Sequence, residues 1–439
     1  MYNQQFDIPE LIMKKIFSRL KSLHINSIVL LFFAIYLVLI IKLSTISQIS
    51  DNLLFGLYSS LVSFYILSRF IISHFHLHHP EKFDKNYEPT LSFGIPCKNE
   101  EDNICETITR IAKIDYPKHK FDIIVVNDGS TDNTLEEMRR GEKLAEGLGV
   151  RVRVIDWKVN QGKREGMAEC IRKSSNEIII FIDSDSFIEP QAPMNLIKHF
   201  IDSKVGATAG HAYVANADQN IVTKMQAVRY YVAFKAYKGT ESVYESVTCC
   251  SGCCSAYRRS ALMKFIDKWQ NQTFLGTKCT YGDDRSMTNF ILKLGYKTIY
   301  AEDAISYTFV PDTFSKFMTQ QLRWKKSWVR ESLIAGLFMW RKHPIMSIGF
   351  YLGIILPLLA PIIVFRALVW YPLTTHQIPV FYISGLLLMS IIYGLYYNIF
   401  MNDKKWVYGS IFAVIYTLVL IWQLPYAILT LRDTRWGTR

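Results

Sequence analysis

Four short polar segments of this chain carry the residue types that could do chemistry. In chain order they are Asn127–Ser130, Asp183–Asp185, Gly282–Asp284 and Gln320–Trp324. The first three supply carboxylates, which can accept hydrogen bonds, hold a divalent cation or remove a proton. The fourth supplies a guanidinium and an indole, which suit phosphate and the apolar face of a ring. Together they predict one site that holds a nucleotide, a metal and a leaving phosphate group.

The first segment follows an apolar run, Ile123–Val126, that is typical of a strand. The Asp128 carboxylate at its end can accept hydrogen bonds from uracil or ribose. A turn that leads into a helix N-cap would use the same residue types. The segment by itself therefore allows both interpretations.

The second segment, Asp183-Ser184-Asp185, follows another apolar run, Glu177–Ile182. Two carboxylates in one turn can hold Mg²⁺ or Mn²⁺ that bridges a diphosphate, because hard cations prefer oxygen ligands. A polar turn without a ligand is the alternative.

The third segment is expected to lie where a loop meets a helix that begins near Arg285. A carboxylate of Asp283 or Asp284 there could be the general base for an acceptor hydroxyl, or it could simply stabilise the helix N-terminus. In the fourth segment Gln320 and Arg323 share one helix face. An ordinary basic helix at a membrane surface is the alternative for that segment.

The elements that must position these residues alternate between strand and helix. Besides the two runs above, Leu91–Ile95 predicts a strand, and Glu101–Ile114 and Thr131–Leu148 predict helices. This alternation is typical of a mostly parallel sheet, in which ligands bind beyond the carboxyl ends of the strands. Residues 85–311 therefore predict an α/β domain with Asp128 and Asp183 at its ligand-binding edge.

Both ends of the chain are apolar. Ile25–Ile41 and Leu53–Ile72 approach the length that crosses a bilayer. Lys and Arg flank this pair on its outer sides, whereas the joining loop Ser44–Asn52 has none, so residues 1–80 predict two spans with a cytoplasmic domain after them. An integral cell-membrane protein is expected.

The C-terminal part predicts amphipathic interface helices over residues 312–343 and membrane segments over residues 344–432. Its apolar blocks are Ile345–Trp370, Phe381–Phe400 and Trp406–Leu431. Three crossings would leave the basic residues near the C-terminus outside, so one block is expected to be broken or re-entrant. Pro357 and Pro361 mark the first block as a candidate, and Pro425 marks the last.

The composition of the chain limits the classes of partner that we expect. The formal charge is +12, and we ascribe it to basic residues beside the membrane spans, because no nucleic-acid-binding motif is present. The eight cysteines all lie in the middle block, which we expect in the reducing cytosol. The run Cys249–Cys254 lacks a second pair at zinc-finger spacing, so no zinc site is expected.

In this order and with these flanking spans, the four segments resemble the processive family 2 glycosyltransferases, and hyaluronan synthases most closely. Further segments that carry this resemblance are Asn271–Gly276, Gly282–Arg285, Thr288-Asn289 and Trp436–Arg439. The resemblance extends over nearly the whole chain. It implies a GT-A-type nucleotide-sugar transferase domain, UDP-sugar donors, a growing polysaccharide chain, and no nucleic acid or obligate protein partner.

The resemblance also implies roles for single residues. Asp128 and Lys163 would bind the uridine part of the donor, with the Pro96–Glu100 segment, and Asp185 with Asp183 would hold Mg²⁺ or Mn²⁺. Asp284 would be the base, with Asp283 beside it. The other implied substrate-binding residues are Gln320, Arg323 for the diphosphate, Trp324 for the acceptor sugar, and Trp436 and Arg439 in a loop, residues 433–439, that closes over the nucleotide.

One departure leaves two products open. Cys253-Cys254 stands in the loop that would support the acceptor, where hyaluronan synthases usually have Pro-Leu. This run and Val310-Pro311-Asp312 instead resemble rhizobial chito-oligosaccharide synthases. The product is thus expected to be hyaluronan, from UDP-GlcNAc and UDP-GlcA, or alternatively a chitin-like or poly-N-acetylglucosamine chain from UDP-GlcNAc alone.

Overall fold

The computed structural model describes residues 25–48, 53–76 and 87–434. In this part of the chain, a sheet of eight strands has the order β3-β2-β1-β4-β7-β6-β10-β5, and β8 and β9 form a separate hairpin. The strands are β1 Leu91–Cys97, β2 Phe121–Asp128, β3 Arg151–Trp157, β4 Ile178–Phe181, β5 Ser186–Ile188, β6 Val205–Val214, β7 Ser255–Arg258, β8 Thr273–Phe274, β9 Thr277–Lys278 and β10 Lys297–Thr308.

Strands β3, β2, β1 and β4 run parallel, and so do β6 and β10. Strand β7 is antiparallel to both β4 and β6 and joins the two parallel groups, and β5 is antiparallel to β10. Every residue of β1, β2 and β4 is buried, as expected for strands covered by helices on both faces. The predicted, mostly parallel α/β sheet is confirmed.

Helices cover the sheet on both sides. Those before and within this α/β region are α1 Ile25–Gln48, α2 Leu53–Ile72, α3 Ile104–Ala112, α4 Thr134–Gly147, α5 Lys163–Lys173, α6 Ala192–Ile197, α7 Ile221–Val232, α8 Gly239–Val243, α9 Arg259–Leu262, α10 Ile266–Gln270 and α11 Asp283–Lys293. Two begin later than predicted because side chains engage the preceding turns. Glu101 accepts the Asn133 N–H at 2.9 Å, and Asp132 accepts the Thr134 N–H at 3.1 Å.

The later helices are α12 Phe314–Gly336, α13 Pro344–Phe365, α14 Tyr371–Thr375, α15 Val380–Met401, α16 Trp406–Leu418 and α17 Gln423–Leu429. Helix α12 lies within the predicted interface region and packs between α11 and α17. Much of its polar side is buried against protein, including Lys326, Arg330 and Glu331. It therefore links the sheet region to the last apolar helices.

Among the described residues, three helical segments are long and apolar enough to cross a membrane: Phe55–Phe75, Pro344–Thr375 and Val380–Met401. A fourth apolar segment is interrupted, because Trp406–Leu418 and Leu420–Leu429 meet at an angle of 41°. Of the two blocks that prolines mark, the last one is thus bent, whereas α13 continues through Pro357 and Pro361. A shorter apolar stretch, Ile28–Ile41, lies in α1.

Candidate active site

The second, third and fourth polar segments converge on one cavity of about 1390 Å³. Asp183 and Asp185 reach it from the turn after β4, and Asp284 from the first turn of α11. Lys163 reaches it from the start of α5, and Trp324 from the middle of α12. The carboxyl edge of the sheet and two helix N-termini thus supply Asp183, Asp185, Asp284 and Lys163.

The residue Gly252 lies beside two of these carboxylates. Its carbonyl accepts the Asp183 N–H at 3.0 Å, and its own N–H donates to Asp284 Oδ2 at 2.9 Å. A Cβ atom at Gly252 would lie 2.9 Å from Asp183 Oδ1 and 3.2 Å from Asp284 Oδ1. A side chain at this position would therefore force at least one of the two carboxylates to move.

Lys163 forms an ion pair with Asp183 inside the cavity. Burial by itself would lower the pKa of Lys163, but the carboxylates of Asp183 and Asp284 outweigh it and raise the pKa above its ordinary value. The ammonium therefore stays charged at neutral pH. It is placed to offset negative charge on a bound diphosphate.

The Asp284 carboxyl has its pKa raised, first by burial and then by the nearby carboxylates of Asp183 and Asp283. Lys163 and the Gly252 N–H act in the opposite direction. A raised pKa makes the ionised carboxylate a stronger base than an exposed one. Its position and its pKa both suit removal of a proton from an acceptor hydroxyl.

Asp283 has different surroundings from its neighbour. Its Oδ1 accepts from Arg164 Nε at 2.7 Å, and both side chains are almost fully buried. Arg164 also donates to the Trp269 carbonyl at 3.0 Å and to Gln272 Oε1 at 3.1 Å. The Asp283 carboxylate is thus engaged in fixing α11 against α5, which favours a supporting role over proton transfer.

Asp183 and Asp185 fit a metal that arrives with the substrate. The described residues contain no group of three or more His, Cys, Asp or Glu side chains that could hold a metal ion. Mg²⁺, however, commonly takes only one or two protein carboxylates together with substrate phosphates and water. Both carboxylates line the cavity, so these two residues remain the candidate metal ligands.

Asp128 ends β2, as predicted, but its carboxylate is only 4% exposed. It accepts backbone N–H groups of Gln161 at 2.6 Å and Gly162 at 2.9 Å. These bonds hold the loop that leads into Lys163. Asp128 does not line the large cavity, so its role toward uridine stays a prediction, and positioning of Lys163 is what the geometry supports directly.

Helix α12 brings Gln320, Arg323 and Trp324 to the cavity together. The Trp324 ring lies 6.1 Å from the Tyr230 ring, measured between centroids, and the Arg229 guanidinium lies 5.1 Å from the Trp324 centroid. The indole is therefore held in place at the cavity wall. Its predicted contact with an acceptor sugar remains a prediction.

The two cysteines that were predicted to bind substrate, Cys253 and Cys254, have different surroundings. Cys253 lines the cavity, and burial, followed by Asp183, Asp185 and Asp284, raises the pKa of its thiol, which therefore stays protonated. Cys254 is 2% exposed and packs in the hydrophobic core. The structure therefore does not place Cys254 in contact with a substrate in the cavity.

The predicted residues Trp436 and Arg439 lie outside the described part of the chain. Asp433, near the end of the described residues, is held close to the Gly282–Asp284 segment. The Tyr281 hydroxyl donates to the Asp433 carbonyl at 3.1 Å, and Lys326 forms an ion pair with the Asp433 side chain at 3.2 Å. Asp433 is thus held beside Tyr281, which lines the cavity.

The cavity continues from Trp324 between the apolar helices. Its lining there comes from α2, α13, α15 and α16 and is rich in tyrosine: Tyr58, Tyr65, Tyr382, Tyr393 and Tyr416. Aromatic rings with a polar tip suit sugars, which present both an apolar face and hydroxyl groups. Sequence reasoning predicted the helices but not this lining, since it depends on which helix faces meet.

Comparison with known proteins identifies the class. Residues 92–266 match the sequence model of Glycosyl transferase family 2. A mannosyltransferase of Pyrobaculum calidifontis, solved with GDP-Man and Mn²⁺, shares the fold with a TM-score of 0.57 and 21% identity, over 84% of this chain and 99% of that chain. Residues 92–266 thus have the sequence pattern of a family 2 glycosyltransferase domain, the structure has the GT-A fold, and the comparisons support a hexosyltransferase.

Two relatives are similar over most of the chain. Hyaluronan synthase of Streptococcus pyogenes is 27% identical over 388 residues, which are 88% of this chain and 90% of the relative. An N-acetylglucosaminyltransferase of Azorhizobium caulinodans is 29% identical over 354 residues, 80% of this chain and 87% of the relative. With its long apolar helices, the chain belongs among membrane proteins.

Proposed function

We propose that this protein is a membrane-embedded, inverting and processive glycosyltransferase that polymerises UDP-sugars and exports the polysaccharide. The single observation that supports this most is the continuity of the cavity. It extends from Asp183 and Asp284, past Trp324, to Tyr58 and Tyr416 on the apolar helices. An enzyme that transferred one sugar to a small acceptor would have no need for this extension.

The reaction would be a direct displacement at the anomeric carbon of the donor sugar. Asp284 removes the proton from the acceptor hydroxyl as its oxygen attacks, and UDP leaves from the opposite side of the ring. Lys163 and Arg323 stabilise the negative charge on the leaving diphosphate. Mg²⁺ or Mn²⁺, held by Asp185 with Asp183, would neutralise part of that charge when bound.

Hyaluronan is the product that we favour, from UDP-GlcNAc and UDP-GlcA. A GlcNAc polymer or oligomer from UDP-GlcNAc alone is the second candidate. The Cys253-Cys254 run and the similarity to the Azorhizobium caulinodans N-acetylglucosaminyltransferase favour it. In both cases the catalytic domain would lie on the cytoplasmic side of the cell membrane, where UDP-sugars are made.

Product analysis tests this proposal. Purified protein in detergent is given Mg²⁺ or Mn²⁺ and UDP-GlcNAc, with and without UDP-GlcA, and the product is digested with hyaluronidase or chitinase. A hyaluronidase-sensitive polymer that requires both donors is expected. A chitinase-sensitive product from UDP-GlcNAc alone would favour the second candidate, and release of single transferred sugars would refute polymer synthesis.

A further inference from the structure

Beyond Trp324, the cavity contains two cations with unusual surroundings. The Arg229 guanidinium lies 5.1 Å from the centroid of the Trp324 ring and 5.3 Å from that of Phe412. Lys325 Nζ donates to Gln423 Oε1 at 3.1 Å and lies 5.6 Å from the Tyr416 ring centroid. Aromatic rings and an amide thus surround both cations. Neither forms an ion pair with a carboxylate in the part of the chain that the structure describes.

Carboxylates are scarce in this part of the cavity. The described acidic residues that line the cavity are Asp183, Asp185, Asp283 and Asp284 in the candidate active site, and Glu241. The Glu241 carboxylate accepts the Thr248 N–H at 2.8 Å and the Thr248 hydroxyl at 2.9 Å. Helices α2, α13, α15, α16 and α17 contain no Asp or Glu at all, and Arg69 on α2 adds a further positive charge to the lining.

Two like charges in one partly buried place are unfavourable unless an anion joins them. Burial, and then the positive charge of Arg229, lower the pKa of Lys325 to about 7, so the charged form of this lysine is less favourable here than in water. A bound anion would relieve the repulsion and restore the charge of the lysine. The site is therefore prepared for a negative group that the protein itself does not supply.

We propose that Arg229 and Lys325 form a carboxylate-binding subsite for an acidic sugar residue of the growing chain, immediately behind the Trp324 platform. This inference rests on the proposed polymer synthesis and extends it to the substrate class. It requires that one donor carries a uronate and that the product is an acidic polysaccharide. A neutral N-acetylglucosamine chain would leave both cations without an anionic partner.

Oligosaccharide binding and extension by the full-length enzyme test the inference. The acidic probe alternates glucuronate with N-acetylglucosamine, and the neutral probe is an N-acetylglucosamine oligomer of the same length. We compare Arg229→Gln, Lys325→Gln and the charge-retaining Lys325→Arg with the wild type. Lys224→Gln is the matched control, because Lys224 lies on the same helix as Arg229 but does not line the cavity.

Each loss of charge should weaken binding of the acidic probe about tenfold, as expected for a hydrogen bond to a charged group. Binding of the neutral probe should change little, and Lys325→Arg and Lys224→Gln should resemble the wild type. Equal wild-type affinity for both probes, or unchanged acidic-probe affinity in both Gln variants, would overturn the inference. Binding is measured without donors, so a failure to make any polymer would refute the proposed function separately.

Discussion

The Gly252 N–H donates a hydrogen bond of 2.9 Å to Asp284 Oδ2. The carbonyl of the same residue, which belongs to the next peptide group, accepts the backbone N–H of Asp183 at 3.0 Å. Gly252 thus ties the backbone of a candidate metal ligand to the carboxylate of the candidate base. These two residues come from segments that are far apart in sequence, so Gly252 helps determine how they meet.

Replacing Gly252 by alanine should impair catalysis without unfolding the protein. The new Cβ would lie 2.9 Å from Asp183 Oδ1, so at least one carboxylate must move. Small displacements of catalytic groups can cost about hundredfold in rate, and we expect a fall of kcat of that order with a nearly unchanged Tm. Gly147→Ala is the control, because a Cβ there meets nothing within 4 Å. Wild-type kcat in Gly252→Ala would mean that the carboxylate spacing is not critical.

Asp284→Asn should abolish sugar transfer while UDP binding remains largely intact, because the amide keeps the shape of the side chain but cannot take a proton. Incorporation of labelled sugar measures the first property, and calorimetric titration with UDP measures the second. A large loss of UDP affinity would show that Asp284 serves donor binding instead.

Breaking the Arg164–Asp283 pair should destabilise the fold. Both side chains are nearly fully buried, and removal of one partner from a buried ion pair typically costs about 3–5 kcal/mol. Arg164→Gln and Asp283→Asn should each lower Tm markedly, whereas the double variant should lose less than the sum of the two. Additive losses in thermal denaturation would indicate that the two residues stabilise the protein independently.

Trp324→Ala should shorten the products, because the chain would lose the ring on which its terminal sugar is held. A sugar ring stacked on an aromatic side chain buries a large area. Without the ring, the growing chain should leave the enzyme more often between additions. Gel analysis of product length is the measurement. Trp340→Ala serves as the control, since Trp340 is 61% exposed and lies beyond the end of α12. Products of unchanged length would remove Trp324 from the acceptor site.

Affinity for acidic oligosaccharides should fall as the pH rises above about 7. The pKa of Lys325 is lowered to about 7, so the free enzyme loses this positive charge as the pH rises through that value, and the charge is complete only well below it. The neighbouring Arg229 stays charged throughout, and Tyr416 and Gln423 are the other groups that face Lys325. Binding titrations from pH 6 to about pH 9 measure this, and Lys325→Arg should abolish the decline. A flat wild-type profile would contradict the assignment.

The sheet and the position of the acidic segments were predictable from local patterns. Apolar runs that end at Asp128 and Asp183 determine both the strands and the edge at which ligands bind. Helix starts were less accurate, because contacts such as Glu101 with Asn133 depend on a turn from another part of the chain. The helix that carries the candidate base begins at Asp283, two residues before the predicted start near Arg285.

The site was predicted in part. Asp183, Asp185, Asp284 and Trp324 do share a cavity, which their motifs alone could suggest. Gly252, Arg164, Arg229 and Lys325 were missed, because their importance arises from neighbours that are distant in sequence. For Arg164 a signal existed: it follows Lys163 directly, just as Asp284 follows Asp283. Two adjacent cations and two adjacent carboxylates could have suggested that these segments meet, as Arg164 and Asp283 do.

The different surroundings of these adjacent residues imply different phenotypes for variants at neighbouring positions. Lys163 and Asp284 line the cavity. Asp283 lines it too, but its carboxylate is almost fully buried against Arg164, which lies outside the lining. Variants of Lys163 and Asp284 should accumulate in cells at normal levels but lack activity. Variants of Arg164 and Asp283 should be unstable and should be degraded by proteases. A mutational scan that reads protein abundance and polymer output separately would thus assign opposite phenotypes to residues joined by a single peptide bond.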